Sequence, residues 1–61
     1  MEELVIFAVV LEASLGGEIH FFYGVSTNLQ AAQDRALENM HNEERQCGVF
    51  FCLVATHYTV L

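Results

Sequence analysis

Cys47, Cys52, His20, His41, His57 and Glu12 are the side chains in this chain that could bind a metal or do nucleophilic work. Thiolate sulfur and imidazole nitrogen are zinc ligands, and a cysteine beside a histidine is a common nucleophile pair. Either chemistry needs its groups at chelating or hydrogen-bonding spacing. The chain contains no CxxC, HxxxH or HExxH pattern, so no single helix or loop offers two ligands. His20 and His57 could meet only through tertiary structure. The residues read more simply as structural: His20 pairs with Glu12 across a hairpin, His41 stands at a helix boundary, and His57 lies near a strand end. Cys52 sits among Phe50, Phe51, Leu53 and Val54, where apolar burial raises a thiol's pKa and makes it inert. Gly16-Gly17 lacks the following lysine of a phosphate-binding loop and joins strand to strand. The expectation is a non-enzymatic chain without metal or cofactor.

The elements that must position these residues are four. "ELVIFAVVLEAS" is β-branched and aromatic and reads as a strand; "EIHFFYGVS" is a second, and the glycine-containing link makes the two a hairpin. A three-residue loop, Leu15 to Gly17, pairs Glu12 with His20, Leu11 with Phe21, Val10 with Phe22, Val9 with Tyr23 and Phe7 with Val25. One face then collects Phe7, Val9, Leu11, Ala13, Ile19, Phe21, Tyr23 and Val25 as a core. "STNLQAAQDRALENMHNEERQC" reads as a helix, with Thr27 and Gln30 at capping-box spacing and Gly48 as terminator. Its apolar stripe is Leu29, Ala32, Ala36, Met40 and Cys47, widened by Leu37. "CGVFFCLVATHYTVL" supplies a third strand, with Cys47 ending the helix and Cys52 inside the strand as buried free thiols. The order is β-β-α-β in a single domain spanning residues 1–61. The fold class is α+β: a three-stranded, mainly antiparallel sheet with one helix on one face. Strand one is the most apolar and suits the centre, giving sheet order 2-1-3; order 1-2-3 is the alternative.

Length and composition limit the rest. A domain of 61 residues has a thin core and gains from a supplement such as a partner chain. Hydrophobic content is 54% with a net charge of −6 and no lysine, which opposes binding to phosphate backbones and anionic membranes. "MEELVIFAVVLEAS" carries acids where a signal peptide needs bases, and no apolar run is long enough to span a bilayer. A soluble protein of a reducing, cytoplasmic compartment is expected. One helix covers one sheet face, so the other stays bare and apolar. It inherits Ile6, Ala8, Val10 and Phe22, with either Phe50, Cys52, Val54 and Tyr58 or Val49, Phe51, Leu53 and Ala55 from the third strand. Ile6, Val10, Phe22, Phe50, Cys52, Val54 and Tyr58 are the expected oligomer interface, most simply a homodimer's. On the helix, Asp34, Glu38, Glu43 and Glu44 form an acidic face able to meet a protein with a basic, nucleic-acid-binding surface. Direct nucleic-acid binding is not expected.

From "FFYGVSTNLQAAQDRALENM" onward the chain resembles small acidic proteins of phages and mobile elements. In them a strand leads through a polar cap into a helix with spaced alanines. Thr27, Ala32, Ala36 and Leu37 carry the resemblance, which covers about a third of the chain. It implies kinship with compact acidic inhibitors such as anti-CRISPR proteins and host-takeover factors, which bind a host protein without chemistry. No functional residue carries over, because these groups share no motif present here. The leading expectation is a phage-type inhibitor or regulator acting as a homodimer. A structural or assembly subunit is the alternative, and a small nucleic-acid-binding protein the third.

Overall fold

The computed structural model describes residues 3–14 and 16–61. The elements are β1 (Val5–Ala13), β2 (Ile19–Ser26), α1 (Leu29–Cys47) and β3 (Phe51–Val60). The strands form one antiparallel sheet in the order β2-β1-β3, so the chain has the α+β fold and strand order read from its pattern. The most apolar strand is central, where Val5, Phe7, Val9 and Leu11 alternate into the core. Val9 and Leu11 are the most deeply buried large side chains, each contributing about 1.5–3 kcal/mol.

The hairpin register differs from expectation by one residue. Glu12 faces Ile19, Leu11 faces His20, Val9 faces Phe22 and Phe7 faces Gly24. The connection runs from Ser14 to Gly17, one residue longer than the expected loop. The Ala13 amide donates to the Glu18 carbonyl at 3.2 Å, and the Gly16 amide closes a turn on the Ala13 carbonyl at 2.8 Å. Gly16 and Gly17 take φ of 84° and 100°, a region that favours glycine. Leu15, expected to open the turn, lies outside the described residues. Side chains alternate with period two, so the slip moves all of β2 to the opposite faces. His20, Phe22 and Gly24 join Phe7, Val9 and Leu11, while Ile19, Phe21, Tyr23 and Val25 leave the expected core. Glu12 and His20 end on opposite faces and do not pair; His20 Nε2 instead lies 3.5 Å from Glu18 Oε2.

Gly24 supplies the physical reason. A Cβ there would fall on the carbonyl oxygen of Ala32 and within 2.6 Å of the Ala36 nitrogen. The helix backbone rests on this glycine, and Ala32 and Ala36 are fully buried against the sheet. In the expected register Val25 would occupy the place opposite Phe7 and hold the helix off.

The helix begins one residue later than the expected cap. Asn28, with extended backbone, accepts a hydrogen bond from the Ala31 amide at 2.8 Å, so Asn28 and not Thr27 caps it. Gly48 ends it as expected, in the left-handed conformation at φ 69°, donating to the Glu44 carbonyl at 2.8 Å. Leu37 and Met40 are half-buried beside the alanines. Leu29 and Cys47 are exposed, so the apolar stripe is shorter than its spacing suggested.

Because the close approach lies in β2, the helix lies over β2 and β1. Phe51 packs against the core, and every later β3 residue is exposed. The helix therefore leaves the third strand uncovered beyond Phe51. A radius of gyration of 12.2 Å exceeds the roughly 10.5 Å of a compact chain of this length.

Gly24→Ala is expected to destabilise the fold by about 3 kcal/mol, because backbone and not a flexible side chain meets the added methyl. Asn28→Ala should cost about 1 kcal/mol through loss of the cap. Urea denaturation of the two variants measures both.

Candidate functional site

The two edges of the sheet are unlike. Arg35 Nη1 donates to the Val25 carbonyl and Asn39 Nδ2 to the Tyr23 carbonyl, each at 2.8 Å. Arg35 and Asn39 lie one helical turn apart, and Tyr23 and Val25 are alternate strand residues, so the helix covers the outward carbonyls in the C-terminal half of β2. β3 forms the other edge. It contains no Asp, Glu, Lys or Arg, and Leu53, Tyr58 and Val60 are at least half exposed.

The face away from the helix is apolar. Ile6, Ala8 and Val10 form its centre, flanked on β2 by the exposed Ile19, Phe21, Tyr23 and Val25. The rings of Phe21 and Tyr23 lie parallel with centroids 6.5 Å apart. On β3, Cys52, Ala55, His57 and Thr59 pair with β1 residues of this face. Of the expected interface residues, Ile6, Val10 and Cys52 are here. Phe22 lies on the helix side, edge-to-face with Phe51 at 5.4 Å and near His20 at 6.5 Å. Tyr58, paired with the buried Phe7, is also on the helix side. Phe50 precedes β3 and is 73% exposed.

Val54 explains why no alternating set of third-strand residues keeps to one face. Val10 faces Ala55 but Leu11 faces Leu53, so Val54 is the extra residue of a bulge that switches the alternation midway. The spacing of apolar residues gave no sign of this insertion. The membership of Ile19, Phe21, Tyr23 and Val25 did have a signal in Gly24, whose position marks the side on which the helix can approach.

The four acids named from the helix pattern are not equivalent. Asp34 is exposed and accepts from Gln30 Nε2 at 3.1 Å, and Glu38 is exposed. Glu43 accepts from the Cys47 thiol at 3.3 Å. Glu44 is largely covered: one carboxylate oxygen lies 3.1 Å from His41 Nδ1, and the other accepts from the Phe51 amide at 3.1 Å. That last bond ties the start of β3 to the end of the helix. It accounts for a carboxylate placed near a helix C-terminus, where the helix dipole disfavours negative charge. His41 lies within the helix and not at its boundary.

Cys47 and Cys52 are free thiols, as expected, but both are exposed where burial was anticipated. The hydrogen bond to Glu43, then the charge of that carboxylate, then desolvation push the Cys47 thiol above its ordinary pKa, and a protonated thiol is a poor nucleophile. Glu18, His20, Glu43, Cys47 and Phe51 line an open cleft of about 330 Å3 between the hairpin turn and the helix end. Among the described residues, no three His, Cys, Asp or Glu side chains are placed to hold a metal ion.

Glu43→Ala removes both the bond and the charge. It should bring the Cys47 thiol to a lower pKa and make its alkylation at neutral pH faster, measured as a pH profile in a Cys52→Ser background. Compared with known proteins, the chain matches no family model, no curated protein and no solved structure.

Proposed function

We propose that the chain is a non-enzymatic protein-binding module that works as a homodimer, an inhibitor or regulator of the phage type it resembles, acting on a host protein. The uncovered apolar surface carries this reading. A chain of 6.9 kDa exposes 4350 Å2, against roughly 4,000 Å2 for a folded monomer of that mass. The exposed surface includes a sheet face bearing Phe21 and Tyr23 and nearly all of β3. A homodimer covers part of it, and the remainder is available to a second protein. The outward carboxylates of Asp34 and Glu38 suit a partner with a basic surface. Among the described residues no helix is long and apolar enough to cross a membrane. Free thiols suit the host cytoplasm.

One observation favours the assembly-subunit reading. Glu44 is largely covered and bonded to His41 and Phe51 within the chain, which removes one of the four acids from the face offered to a partner.

Light scattering after size exclusion should give twice the 6.9 kDa chain mass, and a monomer at micromolar concentration would refute the homodimer. Glu38→Lys should abolish retention of a host protein on the immobilised chain without altering the dimer. Retention that survives Glu38→Lys but fails in Phe21→Glu would move the partner to the bare sheet face. A dimer that retains nothing supports the assembly reading.

A further inference from the structure

Which surface joins the two copies follows from the difference between the sheet edges. We infer that a second copy of this chain adds to β3, antiparallel and across a two-fold axis at Tyr58, making one continuous sheet of order β2-β1-β3-β3-β1-β2. This rests on the homodimer reading and specifies its geometry.

The backbone of β3 sets the register. The Leu61 amide donates to the Leu4 carbonyl at 2.8 Å. In an antiparallel ladder, alternate residues direct both backbone groups to the same side. Thr59, His57 and Ala55 therefore bond inward to β1 with Leu61, while Thr56, Tyr58 and Val60 direct N–H and C=O outward. The bulge at Val54 ends this regular run. The outward groups are thus symmetric about Tyr58. A two-fold axis there pairs Tyr58 with its twin and Thr56 with Val60 of the second copy, and uses every outward group of the run. A centre on any neighbouring residue leaves one of them without a regular partner.

Three further observations commit this edge to a second copy. On β2, Arg35 and Asn39 already occupy the outward carbonyls of Val25 and Tyr23, so the C-terminal half of that edge is blocked to strand addition. Each copy carries a charge of −6, and copies of like charge repel wherever their acids meet; β3 has no acid and no fixed charge. Long apolar edge strands are ordinarily blunted by lysine, proline or a covering element, and β3 has none of these beyond the bulge. The axis stands perpendicular to the sheet, so both helices lie on the same side and their acidic faces stay apart. The pairing also sets Tyr58 beside its twin on the helix side, a cross-strand aromatic contact.

The test combines mass by light scattering with amide hydrogen exchange on the intact chain. In the wild type, the Thr56, Tyr58 and Val60 amides should be protected, and the protection should fall on dilution as the mass falls to that of one chain. Tyr58→Pro removes only an outward N–H, a change an edge strand tolerates. It should give a monomer in which the His57, Thr59 and Leu61 amides stay protected. Tyr58→Lys, which leaves the backbone intact, should also give a monomer. A dimer whose Thr56, Tyr58 and Val60 amides exchange freely, and which withstands Tyr58→Lys but dissociates in Phe21→Glu, would overturn the edge pairing and leave the homodimer standing. A wild type that is monomeric at micromolar concentration would overturn both. Should Tyr58→Pro unfold β3, seen as lost protection at His57 and Thr59, the wild-type exchange pattern and Tyr58→Lys still decide.

Discussion

Gly24 against Ala32 and Ala36 is the contact on which the rest of the structure depends. It lets a helix backbone rest on a strand with no side chain between them. Close packing of this kind allows no adjustment, because the groups in contact are main chain. Once the glycine faces the helix, its parity determines that of every other β2 residue. His20 and Phe22 follow it inward, and Ile19, Phe21, Tyr23 and Val25 are left outside. The turn accommodates this by lengthening through Ser14 and using two glycines at positive φ.

The same contact sets the position of the helix across the sheet. Small residues draw it toward β2, and from there Arg35 and Asn39 reach the outer carbonyls of that strand. The helix thus blocks part of one edge and leaves the other open. A single helix centred on the sheet would shield part of β3 and would not reach the β2 edge so fully. The core is correspondingly thin, built from four β1 side chains and two alanines, so covering β3 would add to stability as well as to solubility.

Charge is distributed in a way that agrees with this division. The acids belong to the hairpin, the helix and the N-terminal segment, and β3 has none. Some are structural: Glu44 holds the first amide of β3, and Glu43 raises the pKa of the Cys47 thiol. Asp34 and Glu38 face solvent on the helix. The surface is thus apolar along the β3 edge and acidic on the helix layer, and the two regions are spatially separate.

Sequence patterning alone determined the element order, the central place of β1, the helix terminator at Gly48 and the antiparallel sheet. Each of these depends on local propensity, or on the uniformly apolar character of "VIFAVVL" in a strand paired on both sides. Three features departed from the pattern, two through tertiary contacts and one through a local cap, and each turns on a single residue. The hairpin slipped by one position because a helix distant in sequence needed Gly24 beneath it. The third strand changed face because Val54 was inserted opposite an unbroken β1. The cap moved from Thr27 to Asn28, where the side chain could reach the Ala31 amide. In a strand the side-chain period is two, so an error of one residue exchanges inside for outside. Composition and spacing are nearly blind to such a shift, and only the contacts across the sheet and under the helix resolve it.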